Sequence, residues 1–153
     1  MTLLEKICKA FQNRNIPYAI VGGYAVALHG APRGTIDIDF IVSFQEKVFQ
    51  DVEDALKTLG MRSRLPVTAS EVFQFRKEYI EKRNLIAWSF YHPHNPVDIV
   101  DIILTTNLDD VSRIKKRVTA SMVQIISKKD LIVMKRQSGR PQDLLDIEAL
   151  EKL

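Results

Sequence analysis

The sequence predicts an α+β domain, and three observations carry that reading. Amphipathic stretches of helical period begin at capping residues, short apolar or alternating runs have strand length, and the two kinds interleave without repeat, low-complexity segment or linker. At 153 residues, 46% hydrophobic and 27% charged, the chain is long enough for one well-filled core, so a single domain over residues 1–153 is expected.

The elements follow in order. Thr2 and Glu5 form a capping box, and Leu4, Ile7, Cys8 and Phe11 recur at helical spacing, which gives a first helix ending near Asn13 to Asn15. Tyr18-Ala-Ile-Val21 is a short apolar strand, stopped by Gly22-Gly23, and Tyr24 to Gly30 is a short helix. Thr35 to Val42 alternates, so Ile36, Ile38 and Phe40 share one face and Asp37 and Asp39 the other. Ser43 with Glu46 reads as a second capping box, opening a helix with Val48, Val52, Leu56 and Leu59 on its apolar stripe and Gly60 at its end.

Val72 to Phe75 and Leu85 to Tyr91 have the β-branched and aromatic character of strands. His92 to Pro96 is a loop, and Val97 to Leu104 reads as a central strand with Asp98 and Asp101 on opposite faces. Leu108 to Arg117 is assigned a short basic helix and Ser121 to Ile126 a strand. Ser127 with Asp130 caps a helix closed by Gly139, and Pro141 opens a last amphipathic helix carrying Leu144, Leu145, Ile147 and Leu150.

Lys+Arg 22 against Asp+Glu 19 leaves a net charge of +3, compatible with a phosphate-bearing substrate but far from a dedicated DNA coater. The one cysteine, Cys8, lies in an apolar helical stretch and reads as an inert core thiol of a reducing compartment. Charges interrupt the N-terminal stretch, and no apolar run approaches the ~18 residues that span a bilayer, so a cytoplasmic protein with no membrane partner is expected. There is no Walker-type loop and no Gly-x-Gly-x-x-Gly.

The chemistry concentrates in Asp37-Ile-Asp39. A carboxylate facing a protein interior needs a cation or hydrogen-bond donors to offset its desolvation. Alternate strand residues lie roughly 7 Å apart, close enough for two carboxylates to bracket one divalent ion or to serve two ions ~4 Å apart. Asp101, on the next apolar strand, is the candidate third carboxylate, and hard oxygen ligands suit magnesium or manganese. Asp-x-Asp alone is more often the solvated face of a sheet. The glycine turn before it, where backbone N–H groups can approach phosphate, favours the functional reading.

Tyr18-Ala-Ile-Val-Gly-Gly-Tyr-Ala-Val-Ala-Leu-His-Gly30 followed by Arg33-Gly-Thr-Ile-Asp-Ile-Asp39 resembles the DNA polymerase β-type nucleotidyltransferases. It is most similar to the minimal nucleotidyltransferases and the AbiEii toxin-like group, and the lincosamide and aminoglycoside adenylyltransferases share the same opening. Ile125 to Lys135, continuing through Ser138-Gly-Arg140 to Leu150, is similar to the C-terminal motif of these proteins, so the resemblance covers about residues 16–42 and 97–150. It implies a mixed β-sheet backed by helices, with C-terminal helices. It further implies Asp37, Asp39 and Asp101 as catalytic residues and metal ligands, with Gly22, Gly23, Arg33, Thr35 and Lys135 binding the nucleotide. The implied reaction moves a nucleoside monophosphate from a nucleoside triphosphate to an acceptor hydroxyl, releasing pyrophosphate. Longer members carry a further C-terminal domain that is not expected here, which leaves small molecule, tRNA and protein open as acceptors.

Bland alternatives stand beside several of these residues. Lys135 could snorkel, Arg140, Asp143 and Asp146 read as an ion-pair network fastening the last helix, and Trp88 with Phe90 and Tyr91 reads as core. Two other functions compete with transfer: a toxin–antitoxin or defence-system component acting by binding a partner protein, and metal-dependent phosphodiester cleavage.

Overall fold

A computed structural model describes residues 1–153. Seven strands form one sheet: β1 (Tyr18–Val21), β2 (Ile38–Val42), β3 (Arg62–Ser63), β4 (Ala87–His92), β5 (Asn95–Ile103), β6 (Arg113–Val118) and β7 (Ser121–Ile126). Their order across the sheet is β3-β4-β5-β2-β1-β7-β6. The sheet is mixed, because β2 runs parallel to β5 and β1 parallel to β7 while the remaining pairs are antiparallel.

Six helices accompany it: α1 (Leu3–Asn13), α2 (Gly22–Leu28), α3 (Glu46–Thr58), α4 (Ala69–Arg83), α5 (Lys128–Ser138) and α6 (Pro141–Glu151). α2 packs on β1, β2 and β7, α1 meets α3 and β7, α3 meets α4, and α5 pairs with α6. The helix starts obey local rules. Thr2 and Glu5 close a reciprocal capping box on α1, Ser127 accepts from the Asp130 amide at α5, and Pro141 occupies the first turn of α6. None is long and apolar enough to cross a membrane.

One apolar cluster joins the elements. Phe11, Tyr18 and Phe40 meet edge to face, and Trp88 stacks on Phe49 and touches Phe90, so Trp88 and Phe90 are core. Cys8 is buried among them, and burial pushes its thiol up to about 12, away from the reactive thiolate form.

The structure corrects five sequence expectations. Val72 to Phe75 is not a strand but part of α4, whose start is fixed by a Thr68–Glu71 capping box. Leu108 to Arg117 is not a helix: a single 3₁₀ turn at Leu108–Asp110 is followed by strand β6. Ser43 does not cap α3, because its hydroxyl donates instead to Asp109 Oδ1 at 2.9 Å and the helix begins at Glu46 without a side-chain cap. The Asp-x-Asp strand begins at Ile38 rather than Thr35, so Ile36 is exposed and Asp37 precedes the strand. The helix after β1 begins at Gly22, not at Tyr24.

Candidate active site

The site lies where β1 ends, β2 begins and β5 nears its end. In the parallel β2–β5 pair Asp39 stands beside Asp101, and in the antiparallel β4–β5 pair Ser89 stands on the other side of Asp101. Ser89 Oγ donates to Asp101 Oδ1 at 2.6 Å, fixing that carboxylate from behind. The register also separates the two acids of β5, since Asp98 accepts from Asn95 Nδ2 at 2.9 Å away from Asp39.

Asp39 is only half-buried by area, yet its carboxyl is closed in by the Gly22 backbone on one side and Asp101 on the other. Desolvation, then the charge of Asp101, a proton shared with Asp101 and the charge of Asp37 together push it up to about 7, against the pull of Lys135. Asp37 is raised as well, by desolvation and by Asp101, with Arg64 opposing. Acids crowded beyond what their basic neighbours offset favour a bound proton or a bound cation.

The glycine turn is shaped by these carboxylates. Gly22 has φ +68°, and a Cβ there would overlap Asp39 Oδ2. A Cβ on Gly23 would come within 2.9 Å of Thr35 Cβ, and the Thr35 hydroxyl donates to the Asp37 carbonyl at 3.3 Å. The Arg33–Asp37 loop therefore folds directly over the turn. His29 is accounted for structurally, with Nε2 2.8 Å from the Ile126 carbonyl.

Opposite the acids stands a basic wall that is already paired. Lys135 is buried and lies 2.9 Å from Asp146 Oδ2 and 3.4 Å from Asp143 Oδ1. Its approach to Asp146 Oδ2 is off the hydrogen-bond direction, so that oxygen is buried with a charge contact but no donor. Arg33 Nε reaches Asp146 Oδ1 at 3.0 Å, and Arg140 Nε reaches Asp143 Oδ2 at 2.9 Å. Burial opposes ionisation of Asp143, but hydrogen bonds from Arg140 and Ser138 prevail and bring it to about 2. Asp146 is likewise lowered, as the close contact with Lys135, the bond from Gln142 and the Lys135 and Arg33 charges outweigh its desolvation.

A cleft of about 840 Å³ collects these groups, lined by Gly22, Gly23, Arg33, Thr35, Asp37, Asp39, Asp101, Lys135 and Arg140 among others. Every sequence-predicted site residue thus faces one space. A neighbouring hollow of about 300 Å³ shares Gly22, Asp39, Lys135 and Arg140 and extends past Ile86, Ile103, Thr105, Thr106 and Met134. Sequence reasoning missed Ser89, Arg64 and the cleft-facing position of Arg140. The first two lie in the stretch it read least well, and only strand register brings Ser89 to Asp101.

The donor set is of the hard-oxygen kind that takes magnesium, but no three acidic, histidine or cysteine side chains close into a ready-made cage. That openness suits magnesium, which is commonly held by one or two carboxylates and completes its shell with water and substrate phosphate. The repelling Asp39–Asp101 pair fits such an ion.

Residues 1–152 match the model of the family described as "Nucleotidyltransferase of unknown function (DUF6036)". The chain belongs to that family. Among solved structures, this nucleotidyltransferase is similar to the lincosamide antibiotic adenylyltransferase LnuA with lincomycin bound, at TM-score 0.62 and 18% identity over 99% of this chain and 97% of that one. It is similar also to the antibiotic-resistance factor ANT(2'')-Ia, at TM-score 0.64 and 17% identity over 97% of this chain and 79% of that one. A nucleotidyltransferase-like protein from Paracoccidioides brasiliensis aligns at TM-score 0.55 and 18% identity over 98% and 77% of the two chains. At these identities the likeness is one of fold. No curated protein sequence matches the chain.

Proposed function

We propose that this nucleotidyltransferase moves a nucleoside monophosphate from a nucleoside triphosphate to an acceptor hydroxyl with magnesium at Asp37, Asp39 and Asp101, manganese serving as a substitute. The observation that carries the reading is the Asp39–Asp101 register, two carboxylates on adjacent parallel strands with no base between them. Bound magnesium would neutralise charge on the triphosphate and on the departing pyrophosphate.

The residues of the chain divide the remaining work. Asp101, oriented by Ser89, accepts the proton of the attacking hydroxyl or aligns it. Gly22 and Gly23, without side chains, let the phosphates approach the backbone at the mouth of β1. Lys135, Arg33 and Arg140 line the opposite wall as fixed positive charges for the triphosphate, held in advance by Asp143 and Asp146. The hollow beside Ile86, Ile103 and Thr105 offers apolar and hydroxyl surface for the base or for a small acceptor. The adenylyltransferases that share the fold support a small-molecule acceptor.

Calorimetric titration with ATP, GTP, CTP and UTP, with and without magnesium, tests the site. Magnesium-dependent binding of at least one nucleotide, lost in Asp37→Asn/Asp39→Asn, is the expected result. Nucleotide binding unchanged in that variant would refute the assignment, and shortening of nucleic acid without pyrophosphate release would replace transfer with cleavage.

A further inference from the structure

The strand β6 lies outside the cleft and has features that the cleft does not explain. It is the last strand of the sheet, paired on one side only, to β7. Its sequence, Arg113-Ile-Lys-Lys-Arg-Val118, places four cations in six residues. Residues 113–117 are exposed on both faces, including Ile114 at 45%, and Met122 beside Arg117 on β7 is 42% exposed. No acidic side chain pairs with any of the four cations; the one internal bond among them is from Arg113 Nη1 to the Tyr18 carbonyl, at 2.9 Å.

The edge is also held in place. The Thr119-Ala120 turn between β6 and β7 puts Thr119 at φ 50°, an unfavourable conformation for a β-branched residue. Glu5 of α1 secures it, accepting from Thr119 Oγ1 at 2.9 Å and from Ser121 Oγ at 3.3 Å. The hairpin is thereby pinned to the first helix while its outer edge is open.

We infer that β6 is a docking edge for an extended acidic segment of a partner protein, which adds to the sheet as a further strand. The outward N–H and C=O groups of β6 supply main-chain pairing, and its cations supply charge complementarity. Lys115 and Arg117 share one face roughly 7 Å apart, matching carboxylates two residues apart on an added strand, while Arg113 is tied inward to the Tyr18 carbonyl. A second copy of this chain is disfavoured, because β6 against β6 would set cation against cation. A nucleic acid would meet the cations but leave the backbone row unpaired, and neither β6 nor β7 carries an aromatic residue on which a base could stack.

The test uses the full chain and a fluorescent nine-residue peptide alternating glutamate with valine and threonine. The same peptide N-methylated at alternate backbone positions, and single-stranded oligothymidylate of equal length, serve as comparisons. Wild type is expected to bind the acidic peptide saturably and to slow amide exchange at alternate residues of 113–118. Lys115→Glu/Arg117→Glu, with its thermal midpoint checked against wild type, is expected to weaken binding about tenfold or more. N-methylation, which keeps the charge and removes main-chain donors, is expected to weaken binding too. Equal binding of the N-methylated peptide, tighter binding of oligothymidylate, or no binding of either ligand would overturn the inference, the last leaving the cations as guards against edge-to-edge association.

Discussion

The two walls of the cleft carry opposite charges and are opposite in how complete they are. On the basic wall every cation has a carboxylate: Lys135 lies between Asp143 and Asp146, Arg33 bonds Asp146, and Arg140 bonds Asp143. On the acidic wall Asp39 and Asp101 face each other with only Ser89 as a bonded donor, and Asp37 adds a third negative charge. The first wall is finished on folding, its acids held below their ordinary range. The second is unfinished, with Asp37 and Asp39 pushed above it. A self-neutralised network stabilises structure, whereas crowded, half-buried like charges mark where a ligand is required.

The largest effect is expected where the unfinished wall meets the reacting hydroxyl. Asp101→Asn should lower the transfer rate by about 10²–10⁴-fold, read as pyrophosphate release, while the thermal midpoint stays at or above that of wild type because one of two repelling charges is gone. On the finished wall the order reverses. Asp146→Ala leaves buried Lys135 with Asp143 alone and releases Arg33, and should cost about 2–3 kcal/mol in a denaturant melt. A loss below 1 kcal/mol there would erase the contrast between the walls.

Gly22→Ala tests the seam between turn and acid. Its positive φ and the overlap with Asp39 Oδ2 should cost about 1–3 kcal/mol of stability and reduce magnesium-dependent nucleotide binding together. Ser89→Ala is the mildest, since it removes one charge-assisted bond to a carboxylate still open to solvent. A fall in rate of about tenfold or less, with stability nearly unchanged, is expected from parallel kinetics and melts.

The sequence made the acidic wall more legible than its surroundings. The apolar run Ile38 to Val42, broken only by Asp39, and the apolar run ending at Leu104 locate both strands, and caps at Thr2, Ser127 and Pro141 locate three helices, because these signals are local. The helix α4 was hidden because it buries only Ala69 and Val72 and has little amphipathic contrast, so that Val72-Phe-Gln-Phe75 imitates strand alternation. The strand β6 was hidden because neither of its faces is buried and its turn lacks glycine, which removes both the period-2 pattern and the usual hairpin residues. Ser89 and Arg64 reach the site through pairing across the sheet, which a linear reading does not contain.

The two walls should also titrate in opposite senses. Asp143 and Asp146, depressed in the folded state, contribute stability above the ordinary carboxylate range and lose it as pH falls, through about 2 for Asp143. Asp39, raised to about 7, takes up a proton in the folded chain well before the unfolded one does, so without metal its ionisation lowers stability as pH rises from about 4 to 7. The most direct measurement is therefore the thermal midpoint of wild type and Asp39→Asn from pH 5 to 8, with and without magnesium. Wild type alone should lose stability relative to Asp39→Asn as pH rises and regain it with magnesium at pH 8. Parallel curves for the two proteins, or a magnesium response that survives in Asp39→Asn, would contradict the assignment of this carboxylate pair as the cation site.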